Sequence, residues 1–146
     1  MSNDVKKAIN LQIANWTVLY YKFHNYHWFI KGHHFFTLHE KFEELYNEAA
    51  EYVDELAERL LALGGRPAGT LQECLSIASV KEAEECENEK QMLETVLSDF
   101  TQISSELDRA IELAENEGDS VTADMFIGMQ TSIQKHSWMF KAYLQK

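Results

Sequence analysis

His39 and Glu43 lie four residues apart, as do Asp54 and Glu58. On a helix, each pair presents two metal-ligating groups on one face. Mixed imidazole and carboxylate donors suit Fe(II), Zn(II) or Co(II), and donor type alone does not choose iron. The two pairs begin 15 residues apart, about 22 Å along a helix, so one chain cannot close one site with both. Two copies of the helix packed antiparallel across a two-fold axis would set His39 of one opposite Asp54 of the other. The contact would centre near residues 48 and 49, where Ala49 and Ala50 allow close approach, and it would create the site twice.

His27 joins this set through chain geometry. It precedes Gly32 by five residues and His39 follows Gly32 by seven, so a hairpin at the glycine brings both imidazoles to similar depth. Three nitrogen or oxygen ligands from one chain and two carboxylates from the next could hold two metals, with Glu58 able to bridge. Such a pair could pass two electrons to one oxidant. Each element also has an ordinary alternative. His39 and Glu43 could simply share a surface hydrogen bond, Asp54 and Glu58 could pair with Arg59 or Lys31, and His27 could be a core histidine bonded to a carbonyl. Trp28 and Trp16 are oxidisable rings that could intercept a stray radical, or could serve packing alone. A di-iron centre inside one bundle is disfavoured. That arrangement uses Glu-x-x-His units, and none of the histidines at 24, 27, 33, 34, 39 and 136 has Glu three residues before it.

The elements that must carry these groups read as four long helices, because one proline and six glycines leave few places to break them. Helix A is expected from about Asp4 to Ile30, with Ile9, Ile13, Trp16, Tyr20, Phe23, His27 and Ile30 as one apolar stripe. Helix B is expected to start between Phe35 and Leu38, with Thr37 and Glu40 as a capping box, and to run to Gly64–Gly65. Its core face is Leu38, Phe42, Leu45, Ala49, Tyr52, Leu56, Leu60 and Leu63. The connection from Gly64 to Val80 carries a short helix near Leu71–Ala78. Its extended and helical parts together reach roughly 43 Å, enough to run the length of a bundle. Helix C is expected from about Lys81 to Asn116, with Leu93, Val96, Phe100, Ile103, Leu107, Ile111 and Ala114 inward. Helix D follows, capped by Asp119 or Ser120. The expected fold is all-α, a ferritin-like four-helix bundle with one long B–C crossover, in a single domain spanning 1–146.

Composition bounds the partners. The chain has 146 residues, 45% of them hydrophobic, which suffices for one core without disulfides. Its two cysteines, Cys74 and Cys86, have neither metal spacing nor a paired framework, which favours a reducing compartment. No signal peptide or membrane span is legible, so the cytoplasm is the expected location. A formal charge of −11 attracts cations to concave surfaces and repels nucleic acid and anionic membranes. The basic residues are scattered, with no flexible basic tail to neutralise phosphates.

Residues 15–71 resemble the DNA-protection-during-starvation (Dps) proteins, or mini-ferritins, through the pattern YHW…KG…F…LHE…DELAER…LGG…P with its spacing intact. The segment GDSVTADMF…KHSWMFKAYL is similar to the family as well, so the likeness covers essentially the whole chain. The resemblance implies a hollow shell of twelve subunits, built from two-fold dimers, that oxidises Fe(II), preferentially with hydrogen peroxide, and stores ferric mineral inside. It places the ferroxidase ligands on His27, His39, Glu43, Asp54 and Glu58, split between two-fold mates. Glu43 stands where the family commonly has Asp, and the longer arm could shift or loosen the second metal position. The family's three-fold pores imply metal-attracting roles for Asp119 and Asp124, with Glu117 nearby, although Asp119 could equally be a helix cap. Zn or Co could substitute for Fe. The competing reading from the family name is a DNA-compacting stress protein, against which the acidic surface and missing basic extensions argue. A third is a structural oligomer with a vestigial metal site.

Overall fold

The structure, a computed structural model, describes residues 3–146. Among these residues there are five helices and no strand: α1 (Asn3–Phe29), α2 (Phe35–Ala62), α3 (Leu71–Ile77), α4 (Glu89–Asn116) and α5 (Ser120–Tyr143). The order, two hairpins joined by a connection with its own short helix, is the ferritin-like one. The chain divides into two compact units. One comprises the start of α1 up to Ala8 with Leu93–Lys146, and the other is Ile9–Met92.

In the Ile9–Met92 unit, the apolar stripes of α1 and α2 are buried at Ile9, Ile13, Trp16, Phe23, Leu38, Phe42, Leu45, Ala49, Leu56 and Leu60. The hairpin is fastened by aromatic pairs, Trp16 edge-on to Tyr52 at 4.8 Å and Tyr26 to Phe42 at 5.5 Å. Tyr20 departs from the expected stripe. It is exposed, because its ring leans outward onto His24, 4.6 Å away, and toward Tyr46. Tyr52 and Leu63 are only half-buried. At the end of α2, Gly64 has φ +80, which turns the chain so that the Gly65 N–H donates to the Leu60 carbonyl at 2.9 Å. A Cβ at Gly65 would collide with the Leu60 side chain.

The connection from α2 to α4 is longer than the sequence suggested, since α4 begins at Glu89 and not near Lys81. Asn88 stops the helix there by reciprocal capping: its side chain accepts from Gln91 N–H, and the Gln91 side chain accepts from Asn88 N–H, both at 2.9 Å. Polar side chains of α1 hold the long segment in place. Asn10 bonds Arg66 and Ala68, Lys22 donates to the Lys81 carbonyl at 2.8 Å, and the buried Tyr26 hydroxyl donates to Glu87 at 2.7 Å. The fully buried Asn15 accepts from Ser79 N–H at 2.8 Å and from Val80 N–H at 3.4 Å. Asn15→Ala leaves these backbone donors without that acceptor. The expected loss is about 2–4 kcal/mol, read as a lower urea midpoint at fixed protein concentration.

At the start of the connection, Arg66 bonds Glu73 at 3.2 Å and, with Thr70, holds its carboxyl below the ordinary range. A carboxyl lowered on folding contributes stability above its unfolded pKa and loses that contribution as pH falls through the folded value. Arg66→Ala should therefore move the Glu73 titration upward, measurable by NMR of the carboxyl carbon. An unmoved midpoint would refute the coupling.

In the other unit, α4 buries Leu93, Val96, Phe100, Ile103, Leu107, Ala110 and Ala114, and α5 buries Phe126, Met129, Ile133, His136 and Phe140. Ala110 takes an inward place, and Ile111, expected inward, is half-buried. Gln130 ties the two helices by donating to Asp108 at 2.7 Å and to the Ser104 carbonyl at 3.0 Å. Asp119 is the N-cap of α5 and accepts from Thr122 N–H. No described helix is long and apolar enough to cross a membrane.

Candidate metal centre

His27 comes from the last turn of α1 and His39 from the second turn of α2. The turn between them pivots on Gly32, whose φ of +121 suits glycine. The two imidazoles lock each other. His27 Nδ1 lies 2.7 Å from the His39 carbonyl oxygen, and His39 Nδ1 lies 2.7 Å from the His27 carbonyl oxygen. A carbonyl only accepts, so each Nδ1 carries a proton, and in the neutral ring each Nε2 then presents a lone pair. That is the tautomer of a metal-ligating histidine with its other nitrogen anchored.

The rings are stacked at 3.6 Å between centroids with an interplanar angle of 13°. An imidazole lone pair lies in its ring plane, and two nearly parallel planes 3.6 Å apart do not converge within metal-bond distance. His27 and His39 thus suit two different ions and cannot chelate one. Phe35 continues the stack on the His39 side at 4.9 Å, and Tyr46 meets His27 edge-on at 5.3 Å. Burial differs along the group: His27 is buried, His39 and Tyr46 are half-buried, and Glu43 is exposed. Loss of surrounding water, then the Glu43 carboxylate, then Tyr20, push the Tyr46 phenol above its ordinary pKa. Tyr46 therefore stays neutral beside that carboxylate.

Along α2, His39, Glu43, Tyr46, Ala50, Asp54 and Glu58 follow three- and four-residue steps, so they drift slowly around one side of the helix. Ala50, Asp54 and Glu58 on this stripe are exposed, whereas Ala49 is fully buried on the opposite face. Of the two alanines expected at a helix–helix contact, only Ala50 faces outward. Among the described residues, no three His, Cys, Asp or Glu side chains gather as a metal-binding group. One chain brings His27 and His39 together and leaves Asp54 and Glu58 on the same stripe without them.

Other expected features have other placements. The Thr37–Glu40 capping box does not open α2: the helix starts earlier, at Phe35, with His34 in the cap position and no side-chain cap bond. Trp16 is buried and Trp28 is exposed, 5.2 Å from His24. Asp119 is buried, with both carboxylate oxygens taken up by the Thr122 backbone and hydroxyl, while Asp124 is exposed. Clefts of about 700 and 530 Å³ lie elsewhere on the Ile9–Met92 unit, and none of the five candidate ligands lines them. Phe35 and Tyr46 were not legible as neighbours of the histidines by residue type, although Tyr46 shares the helical spacing of His39 and Glu43.

Comparison with known proteins gives one consistent result. The family model for the ferritin-like domain matches residues 6–146. General stress protein 20U of Bacillus subtilis is 56% identical over 144 residues, covering 99% of each chain. The crystal structure of Dps from Staphylococcus aureus superposes with a TM-score of 0.97 at 62% identity, covering 98% of this chain and 96% of that one. Dps from Listeria innocua, in crystals soaked with zinc, superposes with a TM-score of 0.94 at 48% identity, covering 98% and 97%. With the five-helix order, the locked imidazole pair and full-length similarity in agreement, this chain belongs to the Dps family of ferritin-like proteins.

Proposed function

We propose that this protein removes Fe(II) and hydrogen peroxide together, as a ferroxidase that stores the ferric product inside a homo-oligomeric shell of twelve subunits in the cytoplasm. The observation that carries this reading is the imidazole pair with both Nδ1 atoms bonded and both Nε2 lone pairs available, on the same unit as the exposed Asp54 and Glu58. A two-fold mate completes the site. His27 of one subunit joins Asp54 and Glu58 of its partner around one substrate iron, and His39 with Glu43 takes a second. Fe(II) fits the mixed nitrogen and oxygen donors, and Zn(II) or Co(II) can occupy them without turning over.

Each of two Fe(II) gives up one electron, the O–O bond of one peroxide breaks, two protons are taken up, and two waters result. The ferric ions then hydrolyse into mineral. Because both electrons leave for one oxidant, no hydroxyl radical is released. We assign Asp124, exposed near the start of α5, to the path by which Fe(II) reaches the interior; Asp119, expected there from the family resemblance, is instead engaged as the buried cap of α5.

Relatives include proteins named for DNA protection during starvation, such as one from Bacillus anthracis 45% identical over 146 residues. At a net charge of −11, protection here operates by removing reactants and not by coating DNA. Anaerobic Fe(II) titration followed by peroxide tests the reading. Two Fe(II) oxidised per peroxide, with growth of a protein-enclosed ferric core, is the expected result; ferric ions left free in solution would refute it. In a gel at low salt, DNA mobility should be unchanged. A shift that vanishes steeply with added salt would instead favour compaction.

A further inference from the structure

Helix α2 opens without a side-chain cap, since the N-cap position is held by His34 and its side chain makes no cap bond. Phe35 N–H donates to the Gly32 carbonyl at 3.2 Å and the His34 ring lies 3.2 Å from Glu89, but a first turn without a side-chain cap frays more readily than the helix behind it. His39 lies only one turn further in, so fraying would carry that imidazole with it. Ring packing adds to these bonds. The Phe35 ring lies 4.9 Å from His39 with planes 20° apart, and His39 lies 3.6 Å from His27 at 13°, giving a column of three rings across the hairpin. Phe35 is half-buried in this column, while its neighbour Phe36 is 83% exposed. The Nδ1 bonds fix one point of each imidazole. Phe35 covers the face of His39 that His27 does not.

We propose that Phe35 is a positioning residue for His39: by stacking on it, Phe35 fixes the plane in which Nε2 points and so sets the affinity of the His39–Glu43 metal position specifically. This rests on the two-metal reading above. The His27 position is stacked from the other side and bonded to the His39 carbonyl, so it depends less on the ring at residue 35.

Cobalt titration without oxidant, followed by its visible absorption, separates the two positions. The wild type is expected to take two Co(II) per chain. In Phe35→Leu the second should weaken about tenfold or more while the first is unchanged, and Phe35→Tyr, which keeps the flat ring, should restore it. Hydrogen exchange gives a readout independent of metal: amides of residues 35–39 should exchange about tenfold faster in Phe35→Leu, with α5 unaffected. Equal weakening of both positions, unchanged binding and exchange, or failure of the tyrosine variant to restore affinity would each overturn the proposal. A wild type that takes no cobalt would overturn the two-metal reading itself, a separable result.

Discussion

Mixing two inactive variants should restore activity. One variant, Asp54→Ala with Glu58→Ala, keeps both histidines; the other, His27→Ala with His39→Ala, keeps both carboxylates. Each alone is expected to assemble but to oxidise Fe(II) with peroxide on the order of 100-fold more slowly, because each lacks half of every site. After dissociation and random reassociation at equal amounts, half of the dimers are mixed. Each mixed dimer has one site with all five ligands and one left with Glu43 alone, so about a quarter of the wild-type activity should return. A site closed within one chain predicts no recovery at all. The carboxylate substitutions are safe for folding because both side chains are exposed on α2; unaltered rates in that variant would remove the ligand assignment.

Single histidine variants should lose one metal each, not both. The nearly parallel rings, 3.6 Å apart, assign their lone pairs to different ions. His27→Ala and His39→Ala are each expected to bind one Fe(II) per site anaerobically where the wild type binds two. Peroxide-driven oxidation should then fall on the order of 100-fold in either variant, because one bound Fe(II) supplies only one of the two electrons that peroxide accepts. Loss of both metals in either single variant would show that the imidazoles act on a shared ion. His39→Ala also removes the Nδ1 bond to the His27 carbonyl while leaving the His39 carbonyl in place for His27. In the converse variant the residue-27 carbonyl likewise remains for His39 Nδ1, so in each variant the remaining histidine keeps its anchor.

Much of the fold was legible from spacing, because burial on a helix follows its period and that period is local. The inward faces of α2 and α4 follow three- and four-residue steps in the sequence, and they are buried at Leu38, Phe42, Leu45, Phe100, Ile103 and Leu107. The misread boundaries lie where side chains compete for the backbone. Lys81 to Glu87 has helix-compatible composition, yet Lys22 and Tyr26 draw it onto α1 and Asn88 with Gln91 sets the helix start later. The Lys22 and Tyr26 bonds join residues about 60 positions apart, and no local pattern announces them; the Asn88–Gln91 pair is local, three residues apart. Tyr20 fits the α1 stripe by count, but its ring has aromatic partners on the outside.

For the candidate site, the sequence by itself determined which ligands share a helix face and that one chain cannot bring all of them to one point. Helical rise alone separates His39 from Asp54, whatever the rest of the molecule does. The tertiary structure alone decided the relation between the two histidines, because ring orientation depends on how α1 and α2 approach across the Gly32 turn. Their reciprocal carbonyl bonds, their stacking and the flanking of that stack by Phe35 and Tyr46 arise from contacts between helices. Residue spacing specifies which side of a helix a group occupies; the direction of its lone pair depends on what packs against it.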